Sequence, residues 1–420
     1  MPANTDMKNI NDNYDVVIIG GGPAGSAVAI NLAKYNRKVL LVEKAEFPRF
    51  RIGESLTASC AEMLKEMGLG PYMETAGFPV KHGVAVHGQT ENSKFWVPMM
   101  YRSSAGVINT RPTWQVSRKD FDKKLLDTAT ERGTDVIRAS AVDVIKTDNV
   151  ISGVRINDID GNMHNISAKM VADASGQSCF LGRNNVLGAV DNAGYEKQIA
   201  IFAHVKGAVR DPGKNDGNTH IFYGKTDHWS WLIPINKDVT SLGVVIPNAV
   251  FKASGLDKKN YFLQGLETLN PYLKARAQDI EIVSPVRSHA NYSFEYEKAA
   301  GPGFISIGDS FGFLDPIFSF GVTVALKEGM VAADEIENYL NQDGQYSFAG
   351  YQAYLAQGRE VIRLVIDTFW QYPLAFLRLA HFSHANEIAE LFSGRFYSDT
   401  TQSLEAVHMM RELLNKKVHA

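Results

Sequence analysis

From Tyr14 the chain runs YDVVIIGGGPAGSAVAINLAKYNRKVLLVEK. An apolar run, a glycine cluster, apolar residues at helical spacing and a second apolar run predict strand, turn, helix and strand, the length of one βαβ unit. A loop, FPRFRIGES, follows, then a helix carrying Ala58 to Met67. The region from Val84 to Val107 reads as strands, SRKDFDKKLLDTATERG as a helix, and DVIRASAVDVIK with ISGVRINDIDG as an alternating meander turning at Asp160-Gly161. KMVADASG is a buried strand ending in small residues. From Val190 to Ser288 longer strands broken by KNDGN, GKTDH and INKD predict a second, sheet-rich domain. FISIGDSFGFLDPIFSFGVTVALKEGMVAADEI returns to strand, loop and helix, and Tyr346 to Ala420 reads as helices.

The predicted class is therefore α/β. One nucleotide-binding domain is divided over 1–83, 111–189 and 289–345; a sheet domain is formed by 84–110 and 190–288; a helical region covers 346–420. Within the sheet domain, WSWLIP as a strand projects Trp229, Trp231 and Ile233 from one face and Ser230 and Leu232 from the other. That makes a flat indole wall.

A length of 420 residues calls for more than one core, and 45% hydrophobic with 21% charged residues is ordinary globular composition. A net charge of −3, without a long basic run, leaves no footprint for nucleic acid. The opening MPANTDMKNINDNYD lacks the apolar centre of a secretory signal, so a cytoplasmic location is expected. VIRLVIDTFWQYPLAFLRLAHF is interrupted by Arg363, Asp367, Pro373 and Arg378, which predicts buried or interfacial helix and not a membrane span. Cys60 and Cys179 form neither a disulfide framework nor a zinc spacing, and no metal site is expected.

The chemistry begins at GGGPAG. Gly20 permits the tight turn, Gly22 lets backbone approach a pyrophosphate, and Gly25, after Ala24, lets the helix pack on the strand. Helix N-terminal amides then face the phosphates. Glu43, ending the second strand, is placed for a ribose hydroxyl. Strand, helix and acid in register predict a dinucleotide site.

FISIGDS, VADASG and SRKDF resemble, in order, fingerprints of the flavoprotein monooxygenases, although Ala174 and Ser175 separate Asp173 from Gly176. The resemblance implies a Rossmann-like FAD-binding domain with an inserted β-sheet substrate domain, Asp309 on the ribityl chain and Arg118 near the cofactor. It extends the FAD contacts to Arg49, Ser55, Pro316, Gly321 and Val322. No second G-x-G-x-x-G occurs, consistent with reduced flavin received from a separate reductase.

WSWLIP matches the W-x-W-x-I-P signature of the flavin-dependent halogenases, and FLDPIFSFG and GFPVKHG resemble that family's F-x-x-P-x-x-S-x-G and F-x-x-K-x-G patterns. The whole resembles the phenol and pyrrole branch, close to the pyrrolyl-carrier-protein halogenases. The resemblance implies that reduced FAD and oxygen form a flavin hydroperoxide and that backbone amides at Phe320 and Gly321 hold chloride or bromide. The tryptophans, with Phe318, line the passage for hypohalous acid. Lys81 delivers the halogen to a phenol or pyrrole, free or tethered to a carrier protein. Phe318 stands where tryptophan halogenases carry a glutamate, and Phe320 is bulkier than usual beside that glycine. Three bland readings stay open: a core strand burying two indoles, a solvated lysine, and aromatic residues in the C-terminal helices that merely pack. So do an aromatic hydroxylase, a geranylgeranyl-reductase-like enzyme and a flavin-binding protein without turnover.

Overall fold

In the computed structural model, residues 13–103, 105–191, 194–290 and 293–415 are described. The opening segment read for a signal falls outside these up to position 12. Strand Asn13–Ile19 lies parallel to Val39–Glu43 on one side and to Met163–Asp173 on the other. Asp135–Thr147 and Phe304–Ser306 extend the parallel order outward. Both faces are covered, so the strand is apolar without alternation. Val16 and Ile18 pack with helices Pro23–Leu32 and Gly321–Asn341, whereas Val17 and Ile19 meet Phe180 and Leu187.

The meander is Asp135–Thr147, Val150–Asp158 and Met163–Asp173, antiparallel throughout. Its second turn is closed by Asp158, whose Oδ1 accepts the amides of Asp160 (2.9 Å) and Asn162 (2.8 Å). Gly161 sits at φ 87°, a conformation that favours glycine.

A second, eight-stranded sheet is assembled from distant parts of the chain. Gly83–His87 and Lys94–Pro98 form one edge, and Gly83–His87 runs parallel to Thr219–Tyr223. Beyond lie Trp229–Pro234, Thr240–Pro247 and Gln198–Lys206, all antiparallel. Its inner face carries Ala200, Phe202, Ile221, Trp229, Trp231 and Ile233 toward the C-terminal helices. Its outer face, with Ile201, Leu232 and Val244, is covered by helices at Asn248–Ser254, Lys258–Thr268 and Pro271–Arg276.

Those three helices are an addition to the sheet-rich domain expected over 190–288. Asp257 accepts the Asn260 amide and Asn270 those of Tyr272 and Leu273, so two helix starts are capped. Phe262, Leu266 and Leu273 then present one apolar stripe to the sheet.

The late apolar stretch is helix Ala349–Gln371 followed, after Tyr372, by Pro373–Arg378 and a π-turn over Leu379–Ser383. Among the described residues no helix is long and apolar enough to cross a membrane. Phe369, Phe376, Phe392 and Phe396 are buried, and the first three pack round Phe318. Packing is thus what these aromatics do, while Leu374 and Phe382 stand exposed. Cys60 and Cys179 are buried free thiols.

Candidate functional site

The parallel sheet, the inner face of the second sheet and the start of helix Gly321–Asn341 enclose one cavity of about 780 Å³. Its nucleotide end is the glycine turn. Gly20 has φ 104°, and a Cβ there would press into the Ala174 backbone; a Cβ on Gly25 would overlap the Gly20 carbonyl oxygen. Both positions therefore exclude side chains, and helix Pro23–Leu32 starts close against the strand.

Glu43, Arg49, Arg118 and Asp309 line the same space. Each Glu43 oxygen accepts one amide, Gly21 N and Ala45 N at 2.7 Å, which leaves further lone pairs for a hydroxyl. Arg118 forms a bidentate pair with buried Asp122 (2.6 and 2.9 Å) and donates to the Ile52 carbonyl (2.7 Å). Arg49 donates to Asp122 (3.0 Å), and its buried Nε has no partner among the described residues. Arg49 Nη2 lies close to Gly22, just ahead of the start of helix Pro23–Leu32, a position that suits a pyrophosphate. Burial raises the Asp309 carboxyl to about 6. Room, glycine turn, acid and guanidinium all fit FAD. Asp173 is different: Ser175 N and Leu181 N bond its carboxylate, and it does not line the cavity, whereas Ala174 to Ser178, Phe180 and Arg183 after it do.

At the other end stand Trp229, Trp231 and Ile233, on the face expected for them. Trp231 Nε1 donates to Ser241 Oγ (3.1 Å), while Trp229 Nε1 is buried without a partner among the described residues. Pro316, Phe320, Gly321 and Val322 face the same space. Val324 N makes the first helical bond to Phe320 O (3.0 Å), so the amides of 321–323 lie ahead of the ladder. A Cβ on Gly321 would meet nothing within 4 Å. The Phe320 ring leans edge-on against Phe396, centroids 4.6 Å apart, which answers its unexpected bulk.

Three expected site residues stand back from the cavity: Gly25, which instead lets the helix pack against the Gly20 carbonyl, Phe318 and Lys81. Phe318, expected on the passage, is 2% exposed among Phe369, Phe376 and Phe392 and does not line it. A large apolar side chain on a buried loop gains more from that core than from an open passage. Lys81, 1% exposed, also lies outside the lining. Its Nζ donates to Ser55 Oγ (3.0 Å) and the Leu56 carbonyl (2.8 Å), with no carboxylate in hydrogen-bond reach among the described residues, and desolvation lowers its pKa to about 7. Lys81 is therefore not a solvated lysine. Ser55 and Thr219, 2.8 Å apart, stand between it and the cavity.

Sequence reasoning missed several groups here. Glu54, within the FPRFRIGES loop, accepts from His204 Nε2 (2.6 Å). Asp315, within FLDPIFSFG, is raised by burial to about 7 and bonded by Ile317 N (3.0 Å) and Gln198 Nε2 (3.2 Å). Arg359 reaches the Gly312 carbonyl (2.9 Å), the Gly308 carbonyl (3.1 Å) and buried Glu328 (3.1 Å), which also accepts from Tyr397 (2.8 Å). That cluster fixes the loop bearing Asp309. Only burial marks Glu328 and Arg359, because in sequence both read as ordinary helix-surface charges.

The tryptophan halogenase family profile matches residues 15–95 and 85–373. The chain is 40% identical to a 1H-pyrrole-2-carbonyl-[peptidyl-carrier protein] brominase of Pseudoalteromonas luteoviolacea, an alignment covering 87% of each chain. It is 33% identical to the corresponding chlorinase of Pseudomonas fluorescens, over 96% of this chain and 93% of that one. The solved flavin-dependent brominase Bmp2 superposes with a TM-score of 0.90 at 36% identity, covering 97% of this chain and 99% of its own.

Proposed function

Because the chain belongs to the tryptophan halogenase family and is a flavin-dependent halogenase, we propose that it halogenates a pyrrole-2-carbonyl group held on a carrier protein, using FAD reduced by a separate reductase and chloride or bromide. One observation carries this reading: a single cavity runs from the glycine turn to the Trp229/Trp231 wall and the start of helix Gly321–Asn341. Its polar groups suit a flavin and an anion, and its apolar wall separates them from the aromatic core.

Bound reduced FAD supplies the oxygen activation that turns halide into hypohalous acid. The rest falls to the chain. Gly20, Gly22, Ala24 and Arg49 would hold the pyrophosphate, with Gly25 letting the helix start close by, Glu43 would hold the ribose and Asp309 the ribityl chain, and Arg118 and Ser55 would help hold the cofactor. Free amides at Phe320–Gly321 hold the halide without a charged side chain. Trp229 and Trp231 keep the organic substrate off the flavin. Lys81, desolvated to a pKa of about 7, can give and recover a proton near neutrality.

The test is a product assay by mass spectrometry with purified protein, flavin reductase, FAD, NADH, oxygen and either halide. The substrates are a pyrrole-2-carbonyl-loaded carrier protein, free pyrroles and phenols. A halogen isotope pattern on the carrier-bound pyrrole is expected, lost in Lys81→Ala while flavin oxidation continues. Hydroxylated product, or NADH oxidation without the reductase, would overturn it.

A further inference from the structure

Lys81 is separated from the cavity by two hydroxyls whose hydrogen bonds can be counted. Gln115 Nε2 spends both hydrogens, on the Gly217 carbonyl (2.9 Å) and Thr219 Oγ1 (2.8 Å). Lys81 Nζ donates to Ser55 Oγ (3.0 Å). Ser55 Oγ and Thr219 Oγ1, 2.8 Å apart, share one hydrogen between them. Two hydroxyls carry two hydrogens, so one is left over whichever way the shared bond points. While Lys81 is the ammonium, that hydrogen meets no other protein acceptor among the described residues, and both residues line the cavity. Ser55, Lys81, Gln115 and Thr219 are each at most 1% exposed, so no bulk water completes the network. Thr219 shares its strand face with Ile221, which pairs with Trp231 across the ladder. The hydroxyl pair thus lies on the face of the sheet that carries the tryptophan wall.

We infer that the Ser55–Thr219 hydroxyl pair, held by Gln115, is the group that receives hypohalous acid from the cavity, with Lys81 acting behind it as proton source and sink. This rests on the reading of Lys81 given above. The spare hydroxyl donates to the oxygen of the acid. As a ring carbon takes the halogen, the halogen–oxygen bond breaks with its electron pair on oxygen. That oxygen accepts a proton relayed from the Lys81 ammonium and leaves as water. The ring carbon then loses its hydrogen as a proton, which returns through the same hydroxyls to the Lys81 amine. Thr219 and Gln115 are thereby assigned roles that a buried threonine and glutamine would not otherwise have.

The experiment compares parent, Thr219→Val, Thr219→Ser and Lys81→Met, using reductase, FAD, bromide and a pyrrole-2-carbonyl-loaded carrier protein. It reads the ratio of ring bromination to hypobromous acid captured by an added cyclic diketone. A relay predicts that Thr219→Val lowers this ratio about 100-fold, the scale of losing a positioned proton donor, that Thr219→Ser restores most of it, and that adding Thr219→Val to Lys81→Met lowers it no further. Peptide mass spectrometry after turnover without pyrrole should find no N-bromo adduct on Lys81. Loss in Lys81→Met with a parental Thr219→Val, or an N-bromo Lys81 adduct, would overturn the relay and leave the lysine reading standing. A parental Lys81→Met would overturn both. If Thr219→Val does not fold, a solvent-deuterium proton inventory on the parent decides: a curved plot supports transfer through several hydrogens, and a linear one rejects it.

Discussion

The glycine end of the cavity is built from residues close in sequence, Gly20 to Gly25 and then Glu43, whereas the lysine end joins residues 55, 81, 115 and 219. At the first end, backbone forms the turn, and at Gly20 and Gly25 there is no room for a side chain. At the second, a chain of side-chain hydrogen bonds spans strands that meet only in the folded sheet. The first kind of site has no room for a Cβ at Gly20 or Gly25; the second loses direction when one donor or acceptor of its chain goes. A backbone cradle fixes geometry through the fold itself, and a side-chain relay fixes it through mutual donors and acceptors.

Gly25→Val probes this contrast at its extreme. Its added carbons would overlap the Gly20 carbonyl, so flavin retention through gel filtration should be lost and stability should fall by about 3 kcal/mol or more. A variant that still holds FAD would show that the turn can yield, and the contrast would fail. Arg359→Met comes next, because it leaves Glu328 buried and unpaired, at a cost of about 3 kcal/mol by denaturant unfolding. Adding Glu328→Gln should recover much of that; no recovery would mean that Arg359 acts mainly through the Gly308 and Gly312 carbonyls.

A pH series sharpens the lysine end. The folded pKa of Lys81 is about 7, below the ordinary 10.5, so between these values the unfolded chain holds a proton that the folded chain lacks. Stability of the parent relative to Lys81→Met should therefore rise with pH, by up to about 1.4 kcal/mol per unit between pH 8 and 9. A flat difference would mean that Lys81 keeps its proton when folded. The smallest effect belongs to Phe318→Leu. With Phe318 in the aromatic core, stability should fall by roughly 1 kcal/mol with the halogenated product unchanged. A change in halogen position or number would return Phe318 to the passage.

How much was legible follows the same division. The glycine turn, Glu43 and the alternation of WSWLIP stand within short stretches whose spacing already states their geometry, and the structure places them as read. Lys81 was legible as a residue but not as a position, because its distance from the cavity depends on Ser55 and Thr219. Gln115 and Thr219 gave no signal at all, since nothing in the neighbourhood of either announces the other. The helices between 248 and 276 were hidden among polar turns, their apolar stripe split over three short elements.

Trp231 lies across Gly243 on the neighbouring strand, and a Cβ at that glycine would run into the indole ring. The indole keeps its tilt because the residue behind it has no side chain. The gauge of the proposed route past the tryptophans is consequently set by a position that does not border it. Under selection for a different halide or ring, residue 243 is a site where one substitution would push the indole inward and narrow the bore without altering any residue the reagents meet.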